Sequence, residues 1–484
     1  MQPISRRQAL LLGGLGAAGT AAGATGMIWA LSSPPDPVTG AKLVQPQDQR
    51  SADRLLQVRL EAAPGQILLA GKQAAALGYN GGIPGPTLRV QAGDVLKIKL
   101  VNNLAQPTNL HVHGLHVSPE GNGDNVFISV EPGSTFDYEY TLPEDHPPGV
   151  YWYHPHHHGT VADQIFAGLF GAIIVEDPDP IEVSTERVLV VSDTTLDGLG
   201  NIQAVPAMER MMGREGQLIL VNGQSNPQFT ARPGERERWR IINACVARYL
   251  RLRLDGQQLQ LLGMDSGRYP QPETVDDLLL TPGNRADLLV TTTTGESALR
   301  AFHHDRGNMP GMMGSGARNP TQPDGTALAT LRVSGEQAAP LAAVPALKGP
   351  ENLTSSAIAA RRQIVLAAGM GMGASGMMRF TINGREFNET RTDTTVAAGN
   401  VEEWTLTNTS PMDHPFHLHV WPMQIIEENG QSKTTAVWRD VVNVPANGRV
   451  KVRVAFNDFR GRSAYHCHIL DHEDLGMMGA IEVR

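Results

Sequence analysis

Apolar and polar residues alternate along much of this chain, and the alternation recurs in three related segments. Each segment starts with Gly, continues with a strand-like run and ends with Asn nine positions later: GDVLKIKLVN at 93–102, GERERWRIIN at 234–243 and GNVEEWTLTN at 399–408. Alternation with a period of two is typical of a half-buried β-strand, because successive side chains point to opposite faces of a sheet. The repeat therefore predicts three related all-β domains.

An Asn-Gly pair precedes each copy of the repeat, at Asn80–Gly81, Asn222–Gly223 and Asn383–Gly384. The tightest turns between strands need positive φ at both central residues, which Asn and Gly adopt most easily. We therefore expect a tight hairpin connection with positive φ before each repeat strand.

Length, charge and cysteine content narrow the function classes. A chain of 484 residues, 41% of them hydrophobic, has material for about three domains at roughly 150 residues each. The net charge is −9 with no basic run, which argues against a nucleic-acid partner. The two cysteines, Cys245 and Cys467, do not suggest a disulfide framework. Cys245 lies in the apolar run IINACVARYL and is expected to be a buried, inert thiol.

The N-terminus has the pattern of an export signal. Arg6 and Arg7 precede an uncharged Gly/Ala/Leu run that extends to about Leu31, which is typical of a twin-arginine leader. The pattern predicts a periplasmic or otherwise exported protein that uses the twin-arginine machinery. An uncleaved membrane anchor is the alternative, because the run is long enough to span a bilayer.

The Pro-, Gln- and Ser-rich segment after the leader is typical of a disordered spacer. The predicted organisation is a signal peptide at 1–31, a disordered linker at 32–53, and β-domains at 54–178, 179–340 and 360–484.

The candidate chemistry is concentrated in histidine motifs. Near the C-terminus Cys467 stands between His466 and His468, and His472 and Met477 follow. In extended backbone the two imidazoles face one side and the thiolate faces the other, so this segment can serve two metal centres. A thiolate with imidazoles and an axial thioether favours a blue-copper site over structural zinc.

Further histidine motifs are HVHG with His111 and His113, YHPH with His154 and His156, and HPFHLH with His414, His417 and His419. Nine positions beyond the repeat Asn, the first and third copies have His111 and His417, whereas the second has Leu252. Pro155 of the first domain stands where the third has Cys467. The middle domain is thus predicted to be a spacer without ligands, and the first and third domains must pack together if they share metals.

These motifs resemble those of the multicopper oxidase family over nearly the whole exported length. The resemblance implies three cupredoxin-like Greek-key β-sandwich domains and four copper ions: one type 1, one type 2 and a type 3 pair. It implies that His414, Cys467, His472 and axial Met477 hold type 1; that His111 and His417 hold type 2; that His113, His154 and His468 hold one type 3 copper; and that His156, His419 and His466 hold the other. Asp124 and Glu473 resemble the family's acidic residues that deliver protons.

The family's reaction couples four one-electron oxidations of a reductant to the reduction of O2 to water. Because all eight cluster histidines come from one chain, we expect a monomer. The histidines outside the matched positions are predicted to have surface or hydrogen-bonding roles: His116, His146, His157, His158, His303 and His304.

Two substrate classes remain open, Cu(I) and small phenols or aromatic amines. Soft thioethers favour Cu(I). Two groups of methionines lie in Gly-rich segments that are predicted to be loops: Met309, Met312 and Met313; and Met370, Met372, Met377 and Met378. A third, weaker group consists of Met208, Met211 and Met212. Similar segments occur in exported copper-detoxifying members of the family, which suggests a role in copper tolerance. Ser410 departs from their acidic residue four positions before the type 1 histidine, whereas Met412 is retained and Asp413 adjoins it. The alternative is a laccase-like enzyme that oxidises phenols or aromatic amines without a dedicated Cu(I) site. A non-catalytic copper-binding or cell-envelope binding protein is a remote alternative, because relatives of that kind lack the ligand residues that this chain has.

Overall fold

A computed structural model describes residues 36–307, 325–370 and 378–484. The predicted signal peptide lies outside these residues. The described chain forms six β-sheets with a few short helices, so the predicted all-β class is confirmed. Among the described residues, no helix has the length and apolar character that a membrane crossing requires.

The first two-sheet unit carries the HVHG and YHPH motifs. Its strands are β1 (Asp48–Arg50), β2 (Leu55–Leu69), β3 (Lys72–Tyr79), β4 (Thr87–Val90), β5 (Val95–Asn102), β6 (His111–His113), β7 (Thr135–Thr141), β8 (Gly149–His154) and β9 (Gly171–Val175). One sheet has the order β3-β2-β5-β7 and the other the order β1-β4-β9-β8-β6. A core of buried aliphatic and tyrosine side chains fills the space between them.

The second unit has no histidine motif on its strands. These are β10 (Thr185–Thr194), β11 (Leu218–Val221), β12 (Gln228–Ala231), β13 (Arg236–Asn243), β14 (Leu250–Leu254), β15 (Leu259–Met264), β16 (Arg268–Val275), β17 (Leu278–Leu280), β18 (Arg285–Thr291), β19 (Gly295–Phe302) and β20 (Thr326–Val333). The sheet orders are β11-β10-β13-β18-β15-β16 and β12-β20-β19-β14-β17.

The third unit carries the remaining motifs. Its strands are β21 (Ala360–Met370), β22 (Met378–Ile382), β23 (Thr394–Val396), β24 (Val401–Asn408), β25 (His414–Leu418), β26 (Met423–Glu428), β27 (Gln431–Arg439), β28 (Val441–Val444), β29 (Arg449–Ala455), β30 (Gly461–Cys467) and β31 (Met478–Val483). The sheet orders are β22-β21-β24-β29-β26-β27 and β23-β31-β30-β25-β28.

The three units share one topology, as the internal repeat predicts. Adding eleven to each strand number of the second unit gives both sheet orders of the third. The first unit has the same order without equivalents of β15, β16 and β17, and with the additional strand β1 beside β4. The repeat segments are the equivalent strands β5, β13 and β24. Asn80, Asn222 and Asn383 have φ of 52°, 51° and 52°, and each following Gly also has positive φ. The positive φ values and the tight turns are therefore as expected, but the turns do not join two strands of one sheet as in a hairpin: each leads the chain from one sheet of the sandwich to the other.

The prediction of a disordered linker at 32–53 is wrong for the part that the structure describes. Thr39 and Lys42 form bridges with the second unit, Leu43 is buried in that unit's core, and β1 pairs in parallel with β4 of the first unit. Backbone hydrogen bonds to two existing sheets order this segment although it has few apolar residues. Amino-acid composition does not reveal such pairing, so the prediction failed.

Within the described residues, three short α-helices lie at the junctions between units: α1 (Val161–Phe166), α2 (Ala207–Met212) and α3 (Leu470–Asp474). A 3₁₀ helix (Leu353–Ser355) precedes the third unit. Arg214 of the second unit ties all three units together, because it contacts Asp163 of the first at 2.6 Å and Asp471 of the third at 2.5 Å.

Candidate metal centre

Equivalent strand pairs position the histidine motifs. His111 on β6 is directly opposite His154 on β8, and His417 on β25 is directly opposite His466 on β30. The second unit has Leu252 opposite Ala301 at this place. Two of three copies of one topology thus present imidazoles at the same register, and in the remaining copy the position is apolar.

The first and third units bring eight histidines into one buried cluster. Its members are His111, His113, His154, His156, His417, His419, His466 and His468, all at most 1% exposed. The predicted packing of these two units against each other is therefore what the structure shows. Burial is the main cause that lowers the pKa of each of these imidazoles. The rings are thus neutral near pH 7, which is the state that binds metals.

Outward hydrogen bonds fix which nitrogen of several rings faces inward. His154 Nδ1 donates to the carbonyl of Pro155 at 2.8 Å, and His417 Nδ1 donates to the carbonyl of Asp440 at 2.8 Å. His466 Nδ1 lies 3.0 Å from the carbonyl of Cys467. A carbonyl only accepts, so each of these nitrogens carries the proton and each Nε2 presents a lone pair.

Carboxylates orient two more rings in the same way. His111 Nδ1 lies 2.8 Å from Asp124 Oδ1, and His113 Nε2 lies 3.1 Å from Asp440 Oδ1. His111 Nε2 and His113 Nδ1 are therefore the inward nitrogens.

The inward nitrogens approach one another closely. His111 Nε2 and His417 Nε2 are 3.4 Å apart, and His113 Nδ1 and His154 Nε2 are 3.4 Å apart. His466 Nε2 lies 3.1 Å from His156 Nε2 and 3.0 Å from His419 Nε2. In the first two pairs the outward hydrogen bonds leave both nitrogens unprotonated, and lone pairs that face each other at 3.4 Å repel unless a cation lies between them.

His468 gives a separate indication of a bound cation. Neither of its ring nitrogens has a hydrogen-bond partner within the described parts of the chain, although a buried polar group without a partner costs about 1–3 kcal/mol. A metal ligand role would satisfy the ring. The donor set, imidazole nitrogens in a buried cluster, suits copper.

A second group lies on the other side of β30. His414, Cys467 and His472 converge, with His414 Nδ1 at 3.3 Å and His472 Nδ1 at 3.8 Å from Cys467 Sγ. Cys467 and Met477 are buried in the core of the third unit, whereas His466 and His468 face the first unit. The alternation of side chains along this strand therefore separates the two groups as predicted.

In this second group too, each histidine makes a hydrogen bond through its outward nitrogen, which leaves the inward nitrogen available to bind a metal. His472 Nε2 donates to the carbonyl of Met211 at 3.2 Å, and His414 Nε2 lies 2.7 Å from Ser410 Oγ. The other neighbours of that hydroxyl, Asn408 Oδ1 and the carbonyl of Met412, only accept, so the His414 nitrogen is the donor. Burial raises the pKa of the Cys467 thiol far above its ordinary value, and a metal would have to displace its proton.

Asp124 and Glu473 both lie at the histidine cluster, fully buried. Besides its contact with His111, Asp124 has an oxygen 3.7 Å from His419 Nδ1. Glu473 lies 3.1 Å from His466 Nδ1 and 3.6 Å from His156 Nδ1. Burial raises the pKa of each carboxyl to about 7, so each group exchanges a proton near neutral pH.

Sequence reasoning missed Asp440 and Arg285. Asp440 contacts two cluster histidines, and Arg285 of the second unit pairs with its carboxylate through two contacts of 2.6 Å. The interpretation of the middle domain as a spacer is therefore incomplete: it supplies no histidine to either group, but it reaches the cluster. These contacts join residues 155 positions apart, and neither residue belongs to a histidine motif.

Three of the histidines outside the ligand motifs make hydrogen bonds or ion pairs with residues away from the cluster. His116 contacts Asp458 at 2.6 Å, His146 Nδ1 contacts the carbonyl of Pro147 at 3.0 Å, and His304 contacts Asp413 at 3.2 Å. Cys245 is buried, and burial raises the pKa of its thiol.

The predicted methionine segments are described only in part. Met309, Met312, Met313, Met372 and Met377 lie outside the described residues. The third group is on helix α2 rather than in a loop: Met208 is 43% exposed, and Met211 and Met212 pack against the core of the third unit.

Comparisons with known proteins agree with this geometry. Three sequence profiles described as multicopper oxidase match residues 61–180, 187–336 and 360–484. A multicopper oxidase from Staphylococcus haemolyticus is 29% identical over 84% of this chain and 83% of its own length.

Solved structures show the same cupredoxin-type architecture. A multicopper oxidase from Campylobacter jejuni, described as a metallo-oxidase, is 31% identical, with a TM-score of 0.81 over 93% of this chain and 98% of that one. A laccase-like multicopper oxidase from the lignin-degrading bacterium Ochrobactrum sp., with oxidase activity towards lignin model compounds and lignosulfonate, is 26% identical, with a TM-score of 0.78 over 91% of this chain and all of that one.

Proposed function

Because the chain belongs to the multicopper oxidase family and is thus a copper-dependent oxidoreductase, we propose that it couples four one-electron oxidations to the reduction of O2 to water. The convergence of unprotonated imidazole nitrogens on buried points carries this proposal. When bound, copper supplies one-electron redox chemistry at the cysteine site and O2 binding at the histidine cluster.

The proposed ligand assignment is the one that the family resemblance implies, and two of its sets coincide with groups of converging ligand atoms: His414, Cys467 and His472, and His156, His419 and His466. His414, Cys467 and His472, with Met477 as the axial ligand, would hold type 1 copper; His111 and His417 would hold type 2; His113, His154 and His468 would hold one type 3 copper; and His156, His419 and His466 would hold the other. Cys467 is covalently joined to His466 and His468, so the chain itself links the electron-accepting site to the oxygen site.

Asp124 and Glu473 are the proposed proton donors. Each touches nitrogens of two cluster histidines, and burial raises the pKa of each to about 7. His466 Nδ1 lies 3.1 Å from Glu473 but is directed towards the carbonyl of Cys467. Glu473 thus accepts no well-directed hydrogen bond from the described residues, and its carboxyl can hold or release a proton. General acid–base groups of this kind contribute about 10²- to 10⁴-fold to a rate.

We propose Cu(I) as a substrate and copper tolerance as the role. Both type 1 histidines are fully buried, and α2 covers His472 through the Met211 contact. A phenol or aromatic amine would require contact with an exposed histidine edge, whereas a cuprous ion requires thioether ligands such as Met208 and Met212. Met412, next to Asp413, is buried in the same core as Cys467.

The test is O2 uptake by the copper-loaded protein with Cu(I), a phenol and an aromatic amine. Replacing Met208, Met211 and Met212 by Leu conserves volume and removes the thioethers. We expect about tenfold slower Cu(I) oxidation with phenol oxidation unchanged, while Met264→Leu, at a side chain that packs against the core of the second unit, changes neither. Unaltered Cu(I) turnover in the triple variant would reject the role of α2, and phenol turnover far above Cu(I) turnover in the wild type would support the laccase-like alternative. A triple variant at Met309, Met312 and Met313 tests the sequence-based expectation for that segment.

We also propose that the protein is exported by the twin-arginine pathway, because Arg6 and Arg7 precede a long apolar run. We propose that it is a monomer, because all eight cluster histidines come from one chain. Replacing both arginines by lysine should leave the protein in the cytoplasm, as fractionation of cells would show. Equal export of this variant would contradict the proposed pathway.

A further inference from the structure

Asp440 lies where the three units meet at the histidine cluster. Its Oδ1 is 3.1 Å from Nε2 of His113 in the first unit, and its own carbonyl accepts from Nδ1 of His417 in the third at 2.8 Å. Arg285 of the second unit reaches both carboxylate oxygens at 2.6 Å. One residue thus contacts rings assigned to two different coppers.

Arg285 is held in place on all sides and is fully buried. Its Nε donates to the carbonyl of Val150 at 3.1 Å, and its Nη1 contacts the carbonyl of Gly283 at 3.2 Å and Asp265 Oδ1 at 3.3 Å. A guanidinium that grips a carboxylate with two donors fixes the orientation of the carboxylate as well as its position. The direction in which Asp440 accepts from His113 is therefore set by the second unit.

Two glycines leave the space that this arrangement needs. A Cβ on Gly114, whose φ is +84°, would lie 2.2 Å from Arg285 Nη2 and 2.7 Å from Asp440 Oδ2. A Cβ on Gly283, whose φ is +86°, would lie 2.8 Å from the ring of His468. The glycine of the HVHG motif thus makes room for the ion pair, and the second unit lies directly against the cluster.

We propose that Asp440 is a positioning residue whose carboxylate, held by Arg285, fixes which nitrogen of His113 faces the copper cluster, while its backbone carbonyl orients His417. The inference rests on the proposed copper assignment. It gives the ligand-free second unit a part in the oxygen site, since the arginine that orients Asp440 belongs to it.

The competing explanation is that the pair only stabilises the fold. A matched control separates the two, because Arg238 and Asp287 form another buried pair, with contacts of 2.9 and 2.5 Å. None of the hydrogen bonds or ion pairs described for that pair involves a histidine.

The experiment uses the full-length, copper-loaded protein and the variants Asp440→Asn, Arg285→Lys and Asp287→Asn. Copper per chain, the blue absorption of type 1 copper, the paramagnetic resonance of type 2 copper and copper retention against a chelator are measured, with circular dichroism as the check on folding. Arg285→Lys keeps the charge and loses the two-donor grip, so it remains informative if Asp440→Asn does not fold.

We expect both cluster variants to keep the blue absorption and to bind the remaining copper about 10- to 100-fold more weakly, the usual effect of losing a partner that orients a ligand. Asp287→Asn should retain all copper. Wild-type copper retention in folded Asp440→Asn and Arg285→Lys would overturn the inference, as would a parallel loss of blue and cluster copper in all three variants. Wild-type protein that binds no copper beyond the blue site would instead overturn the proposed function itself.

Discussion

Removing the hydroxyl of Ser410 should weaken the type 1 site without changing its ligands. Ser410 Oγ accepts from His414 Nε2 at 2.7 Å, and both side chains are fully buried. In Ser410→Ala the ring loses the partner that holds its Nδ1 towards Cys467. A buried donor left without an acceptor costs about 1–3 kcal/mol. The loss of an orienting partner lowers metal affinity by about 10- to 100-fold, which corresponds to about 1.4–2.7 kcal/mol.

The cost of the unpaired donor and the expected loss of copper affinity are similar in size. The missing hydrogen bond should therefore lower both the free energy of unfolding of the copper-free protein and the copper affinity of the blue site. Affinity is measured by titrating a chelator against the blue absorption, and stability by denaturant unfolding of copper-free protein. Ser463→Ala is the matched control, because Ser463 is also fully buried but its Oγ makes no hydrogen bond to any described residue. The reasoning is refuted if Ser410→Ala holds type 1 copper as tightly as Ser463→Ala does.

Further changes probe the electron path, the proton donors and one surface ion pair. Cys467→Ser should abolish the blue absorption and O2 uptake while the histidine cluster keeps its copper; undiminished uptake would disprove the role of the thiolate. Glu473→Gln should slow O2 uptake by about 100-fold or more, with reduction of the blue site at the wild-type rate in stopped flow; the same holds for Asp124→Asn, and normal uptake would exclude the residue as a proton donor. Burial lowers the pKa of His116, but its hydrogen bond to Asp458 and the attraction of that charge outweigh burial and raise it above 6.5. A raised folded pKa stabilises the protein at pH values below 6.5 and ceases to do so as pH rises through it. His116→Gln should therefore lower the melting temperature at about pH 5.5 and hardly at all at about pH 9; an equal loss at both would contradict the linkage.

The fold was largely predictable because its information is local and periodic. Alternation over eight or nine residues defines β5, β13 and β24, the Asn-Gly pairs mark positive φ, and the spacing from repeat Asn to histidine gives the register of the ligand strands. The linker was mispredicted because backbone pairing, rather than composition, orders it. Asp440, Arg285 and the orienting role of Ser410 escaped prediction because they are defined by contacts across units or by the tautomer of a neighbouring ring, which no spacing rule encodes.

The division of the cluster between two units has a thermodynamic consequence. Because His111 and His417 belong to different units, a metal held between them binds only the docked arrangement, and its affinity includes the free energy of docking. A contact that stabilises docking without copper therefore raises the apparent copper affinity, but only to the extent that the undocked arrangement is populated before copper binds. Arg214 joins all three units, and Arg285 joins the second unit to Asp440. If copper binds at the proposed positions, these contacts of the second unit preorganise a cluster to which it contributes no histidine, and their loss should lower the metal affinity of a site that lies between its two neighbours.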